Sequence, residues 1–375
     1  MMSETDSDRE SLAQPTAGST PEGEKPGKPK NRWLRLLGVV VPFAMVAALL
    51  AGVLPAMADF GEVWDAIQSL TWLETTSLLV AAGWNIITYQ LIILAALPGL
   101  TLLKAFVVGQ ISTAVTNTLP AGSAIGVGVT YAMFSSLGFS TGSIAIASVV
   151  TGLWNTFVKL ALPVVALALL TFQGRSNAAL RSASLIGVVV LIGAIGLLTL
   201  IMSSERSARR AGERIGAIAS RLVRPFKRGP FEQWGAGFVR FRSQSIDLLL
   251  RRWHLITLAT VLSQLSLFAL LLLSLRHMGV SADTITAAEA LAAFAVVRLV
   301  TAIPITPGNL GIVEVGLTAA LVLAGGDESL VVAAVLIYRA LSFLLQVPLG
   351  LAAFIIWRSK KSWRVSSNVA TGEAR

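Results

Sequence analysis

Apolar residues in this chain come in long uninterrupted stretches rather than at the spacing of a half-buried surface helix. Such stretches cover about Leu34–Leu54, Thr75–Leu97, Lys104–Leu119, Ser143–Phe172, Ala183–Met202, Trp253–Leu275, Ala287–Ile305 and Leu330–Trp357. Most approach or exceed the ~20 residues that a helix needs to cross a bilayer. The pattern predicts an all-α, polytopic membrane protein over 32–357. Residues 1–31, rich in Ser, Pro, Gly, Glu and Lys, have almost nothing to bury and read as a disordered cytosolic tail. Residues 358–375 form a second cytosolic tail. Ala56-Met57-Ala58 resembles a signal-peptidase site, but the apolar run before it exceeds the ~7–15 residues of a signal peptide, so a retained anchor is expected.

One stretch breaks the pattern. Thr306-Pro307-Gly308-Asn309-Leu310-Gly311-Ile312-Val313-Glu314-Val315-Gly316 places a proline, three glycines, an amide and a carboxylate inside apolar sequence. Lipid cannot hydrogen-bond an interrupted backbone, so this segment must lie against protein or a wet cavity. An acid at that depth costs roughly 2.5–3.5 kcal/mol even on the lenient insertion scale.

The break recurs. At a constant offset of 187, Pro120 aligns with Pro307, Gly138 with Gly325, Asn155 with Ser342 and Lys159 with Gln346. Each unit, about 104–172 and 287–357, has a span, a Pro/Gly break, a short apolar segment (Ala121–Leu137; Gly308–Ala324) and a long span. Pro120, Gly122 and Pro307 are the expected structural breaks. Counting Ala121–Leu137 as a crossing gives an even number of crossings before the basic loop and makes the units inverted repeats. Treating it as re-entrant leaves an odd number, unless paired half-helices restore parity elsewhere. Inverted repeats place binding sites near the midplane, at their broken helices.

Charge sets the orientation. Only 13% of the 375 residues are charged, and the mean hydropathy is +0.73. The loop 203–252 holds twelve Lys and Arg against four acids, while the loop before Thr75 holds acids and no base. The positive-inside rule then predicts a multi-pass protein of the cell (inner) membrane with both termini cytosolic. Within the basic loop, Ile215, Ile218, Leu222 and Phe226 form one apolar stripe, and Phe231, Trp234, Phe238 and Phe241 another. They predict two amphipathic helices on the inner leaflet. Phe60, Val63, Trp64, Ile67 and Leu70 predict a short helix outside, either in the interface or packed on the bundle as a lid. The net charge of +10 lies in tails and in one loop beside spans, a distribution that suits anionic lipid heads and not nucleic acid. Cysteine is absent, and His254 and His277 lie at opposite ends of one span, so no metal site is expected.

Candidate chemistry is confined to the spans. Arg298, Glu314 and Arg339 are ionisable residues at membrane depth. They predict either a packing network or a surplus of positive charge that grips an anion, because arginine forks match phosphate. Free N–H groups in the break at Gly308, Asn309 and Gly311 would face the same anion. Gln110, Thr113 and Asn117 form one polar stripe; Ser148, Asn155 and Lys159 form another, and Arg339, Ser342 and Gln346 a third. The substrate-binding candidates are therefore Arg298, Glu314, Arg339, Asn309, Gly308, Gly311, Lys159 and Asn155. No nucleophile elbow, metalloprotease motif or phosphate loop is visible, so neither an enzyme nor a cofactor is expected.

The Thr306–Gly316 run, with Arg298 before it and Tyr338-Arg339 after it, resembles the C-terminal signature of the lysylphosphatidylglycerol synthase transmembrane family, also described as flippase-like. The string Thr118-Leu119-Pro120-Ala121-Gly122-Ser123-Ala124-Ile125-Gly126-Val127-Gly128-Val129-Thr130-Tyr131-Ala132-Met133 is similar to its other signature. The resemblance covers roughly Trp33–Trp357. It implies a membrane domain associated with moving aminoacylated phosphatidylglycerol between leaflets, without the soluble domain that performs aminoacyl transfer. Many members carry an acid or Arg after the first break, where this chain has Gly126, Val127 and Gly128. The expectation is a flippase-like protein that binds, and moves, an anionic phospholipid or other phospho-headgroup lipid. The alternative is a scaffold subunit for an envelope-lipid or glycan enzyme, with that enzyme as its protein partner.

Overall fold

The computed structural model describes residues 64–65, 67–119, 122–174, 185, 187–196, 234–301 and 306–363. The tail 1–31, the span at 34–54, the break at Pro120 and the 203–233 part of the basic loop lie outside the described residues. The elements are helices: α1 (Trp72–Ala96), α2 (Leu102–Thr118), α3 (Gly122–Ser136), α4 (Thr141–Phe172), α5 (Gly187–Gly196), α6 (Trp234–His277), α7 (Ala287–Val300), α8 (Ile312–Leu323), α9 (Glu328–Arg339) and α10 (Gln346–Ser359). A π turn, Ala340–Leu344, joins α9 to α10, and Pro307–Asn309 is a 3-10 turn. Among the described residues four helices are long and apolar enough to cross a membrane: α1, α4, the Arg251–His277 part of α6, and the continuous Glu328–Ser359.

Capping chemistry starts these helices. Thr71 and Glu74 form a capping box on α1, and Thr286 and Glu289 form one on α7. Ser140 caps α4 and Asp327 caps α9 through side-chain oxygens.

The expected repeat appears in these boundaries. Adding 187 to the cap Ser140 gives Asp327, and adding it to Thr141–Phe172 gives Glu328–Ser359, so both long helices have 32 residues. Helix α3 ends at Ser136 and α8 at Leu323, the same offset apart. Each is followed by a glycine at positive φ, Gly138 (92°) and Gly325 (101°). Matching C-terminal bonds close both, Phe139 N–H to Phe134 O (3.2 Å) and Gly326 N–H to Leu321 O (3.1 Å).

The short helices on either side of each break pair as a helical hairpin. In the first, Ser112 Oγ donates to the Gly126 carbonyl (2.9 Å), Thr130 donates to Ser112 Oγ (2.8 Å), and Gly122 packs on the Thr116 backbone. Thus α3 folds back antiparallel along α2. In the second, Gly316 of α8 packs against Val297 of α7. Helices of 15 and 12 residues reach only ~22 and ~18 Å, short of the ~30 Å hydrocarbon layer.

Two apolar cores lie at opposite ends of the bundle. One gathers Leu78 of α1, Leu162 and Ala166 of α4, Leu270–Leu275 of α6, and buried residues of α7, α8 and α9. The other gathers Ala95 and Ala96 of α1, Ala105–Ile111 of α2, Met133 and Phe134 of α3, Ile144–Val150 of α4, Ile256 of α6 and Ala353 of α10. Both arms of hairpin α2–α3 therefore start and finish at one end, and both arms of α7–α8 at the other. Of the two courses the sequence leaves open, the packing favours paired half-helices: α3 returns alongside α2, and α4 runs opposite to α9–α10. Contacts between the units are reciprocal. Helix α2 packs on α10, and α7 packs on α4.

The interfacial helices differ from expectation. Trp234 onward is continuous with the following span in one 44-residue helix, so this segment extends the span's own axis and is not a separate helix on the leaflet. Leu248 and Leu249 still pack on the second core. Ile67 and Leu70 pack on the first core, which favours the expected packed segment over a free interfacial helix, while Trp64 and Trp72, the first residue of α1, stay 59% and 83% exposed.

Close packing between the units should be sensitive to one methyl group. A Cβ at Gly350 would collide with Ala114 Cβ and the Gln110 carbonyl, whereas one at Gly128 meets nothing within 4 Å. Gly350→Ala should lower stability by about 1–3 kcal/mol in thermal unfolding of the detergent-solubilised protein, and Gly128→Ala should leave it unchanged or raised.

Candidate functional site

The tip of the second hairpin is held by charge. Glu314 occupies the first turn of α8, where Oε2 accepts from the Gly311 N–H (2.7 Å). A carboxylate there favours the positive end of the helix dipole. Its other oxygen accepts from Arg339 Nε at 2.7 Å, and Arg339 Nη2 reaches the Gly308 carbonyl (3.2 Å). Arg339 also lies 4.7 Å from the Phe343 ring centroid, and that ring occupies the space a Cβ on Gly308 would need. Gly308 (φ 60°) and Asn309 (φ 54°) adopt the left-handed conformation that turns the chain. Arg339 thus ties the π turn, the hairpin tip and the start of α8 together. Both ionic side chains are buried, with 12% and 3% exposed.

Arg298 behaves differently. Its Nε donates to Gln264 Oε1 (3.2 Å), and Gln264 Nε2 donates to Asn155 Oδ1 (2.7 Å). The chain joins α7, α6 and α4. Gln264 is central in its Arg251–His277 span, and Asn155 is central in α4, so the chain marks the middle of the bundle. Lys159, one turn beyond Asn155, is within electrostatic range of Arg298, as are Tyr89, Tyr338 and Arg339. Arg298 also lies 5.9 Å from the Phe294 ring centroid. Among the described residues no carboxylate pairs with Arg298 or Lys159. A single network of Arg298, Glu314 and Arg339 does not form. Glu314 and Arg339 neutralise each other, and the positive surplus resides on Arg298 and Lys159. The chain belongs to the lysylphosphatidylglycerol synthase TM-region family. The family model matches residues 35–350, which span both hairpins and every residue named here. No curated protein matches the chain.

Of the expected ligand residues, Arg298, Lys159 and Asn155 come together, and Glu314, Arg339, Gly308, Asn309 and Gly311 form the neighbouring tip. Gly122 starts α3 against Thr116. Gln264 and Tyr89 were not anticipated. A glutamine at the centre of an apolar span is itself a signal for Gln264. Only three tyrosines occur in the chain, and two of them face Arg298 electrostatically. Tyr89 is 53% exposed on the bundle surface, which places one edge of the cationic region next to hydrocarbon.

Removing one member of the tip pair strands the other. Glu314→Gln or Arg339→Met should each destabilise by about 3–5 kcal/mol, while the double variant should recover much of the loss. Thermal unfolding of the four proteins as a double-mutant cycle measures this.

Proposed function

We propose that this protein binds the phosphate of an anionic phospholipid headgroup at Arg298 and Lys159 and passes the lipid between leaflets. The observation that carries the reading is a mid-bundle arginine with no acid partner among the described residues. A charge at the bilayer centre costs about 2.5–3.5 kcal/mol or more, and such residues mark substrate or ion paths. Gln264 holds Arg298 through Nε, which leaves the terminal fork of the guanidinium for two parallel bonds to phosphate. Lys159 adds a second positive charge from α4. Acyl chains would remain in the hydrocarbon, where an apolar groove lined by Ile87, Leu102, Leu103 and Phe106 opens between α1 and α2.

The scaffold supports the same reading. Hairpins at opposite ends of the bundle, with long helices of opposite direction, suit an inverted-repeat transporter. Rocking of one repeat against the other would expose the midplane alternately. The charge distribution supports a cytosolic basic end. Lys104, Arg251, Arg252, Arg358 and Lys360 lie at the end of the second core, and Glu74, Asp283, Glu289, Asp327 and Glu328 lie at the other. Arg276 is the exception, and its guanidinium is satisfied by the Val280, Ser281 and Ile285 carbonyls. On this reading both termini are cytosolic, in the inner membrane.

Leaflet transfer of a fluorescent phosphatidylglycerol in proteoliposomes should fall at least tenfold in Arg298→Gln and several-fold in Lys159→Gln, with insertion intact. A fluorescent zwitterionic lipid serves as the comparison. Unaltered transfer in both variants would remove the assignment.

A further inference from the structure

Two buried amide oxygens, Gln110 Oε1 and Asn309 Oδ1, have no hydrogen-bond partner where the hairpins meet, and the buried Ser342 Oγ on the adjoining π turn has the Tyr338 hydroxyl as its neighbour. Gln110 is only 2% exposed. The elements that carry them touch one another. The Pro307–Asn309 turn packs on α2, which carries Gln110. Gly308 lies beneath Phe343, the neighbour of Ser342 in the π turn, and Gly350 just beyond that turn presses on the Gln110 carbonyl. Native structures leave few buried polar atoms unpaired, because each gives up its bonds to water for nothing. Here two occur at one junction, and Asn309 additionally holds a positive φ of 54°. Both are amide oxygens that can only accept, and the Ser342 hydroxyl adds a third oxygen. Neutral oxygens beside unwound backbone, at the junction of broken helices, suit a dehydrated monovalent cation.

We infer that this junction binds a monovalent cation of Na+ size through Gln110, Asn309 and Ser342, and that the cation binds together with the anionic headgroup. The coupling rests on the phosphate assignment above; the cation site itself does not. Because Glu314 and Arg339 cancel, the uncompensated charge near the junction is that of Arg298 and Lys159, and Arg298 is within electrostatic range of Arg339 beside the tip. A cation arriving alone is repelled by that surplus. An anion on Arg298 removes the repulsion, so each ligand raises the affinity of the other by the same factor. A primary ammonium, with three donors and no acceptor, shares the chemistry and could come from a headgroup instead of from bulk salt.

Thermal unfolding of the purified full chain in uncharged detergent tests this, with NaCl, methylammonium chloride or choline chloride at equal ionic strength. Each is measured with and without short-chain phosphatidylglycerol. Na+ should raise Tm over choline by about 2–4 °C, more with the lipid, and Gln110→Leu and Ser342→Ala should each abolish the rise. A rise with methylammonium and not Na+ assigns the cation to a headgroup amine and upholds the site. Arg298→Gln should keep the Na+ rise and lose only its enhancement by lipid. A wild-type rise with no lipid enhancement would refute the phosphate assignment and the coupling while sparing the cation site. Equal Tm in all three salts overturns the proposal, as does a Na+ rise that survives both substitutions.

Discussion

A backbone interrupted inside a bilayer must find its hydrogen-bond partners in protein, and the arrangement of the helices follows from that requirement. Two hairpins end in tips that no lipid could satisfy. Each unit's first hairpin helix packs on the long helix of the other unit, α2 on α10 and α7 on α4. The second tip is held by Arg339 and Phe343 of its own long helix as well, so the two units share the covering of the breaks. Gly350 is where this is tightest, since its missing side chain lets α10 approach the α2 backbone.

The scaffold is nearly symmetric and its charge is not. Shifting by 187 takes Arg298 to Ile111, Glu314 to Val127 and Arg339 to Gly152. The first hairpin is therefore held by hydroxyl bonds from Ser112 and Thr130 and by glycine contacts, the second by a buried ion pair and a cation over Phe343. A hydroxyl–carbonyl bond contributes about 0.5–1.5 kcal/mol, whereas stranding one ion of a buried pair costs several times more. The second tip is the more tightly specified one. Only Lys159, from α4, brings charge into the centre from the first unit.

Much of this could be read from the residues. The spans, the repeat and the ionisable positions follow from apolar run length, from glycines and prolines at a constant offset, and from the expense of charge in lipid. What could not be read was partnership. Spacing places Glu314 between two arginines, but only the left-handed turn at Gly308 and Asn309 brings Arg339 against it and leaves Arg298 to Gln264. The return of α3 along α2 was one of two courses the residues left open. Hydropathy reports how apolar a segment is and says nothing about whether it turns back. Likewise Phe238 and Phe241 look interfacial by periodicity, yet helix propagation from the adjoining span adds one bond per residue and carries the segment along the same axis.

The two long helices hold the same number of residues, but they are not the same length. In α9–α10 the bond from Leu345 N–H to the Ala340 carbonyl (2.8 Å) closes a wide turn, which takes up a residue with little rise. Past that point the second unit lags its counterpart by about one residue's ~1.5 Å rise and about a quarter-turn of phase. The pair is handed like a bolt and a nut cut to slightly different pitch, and the mismatch falls at the level where the unpaired oxygens collect.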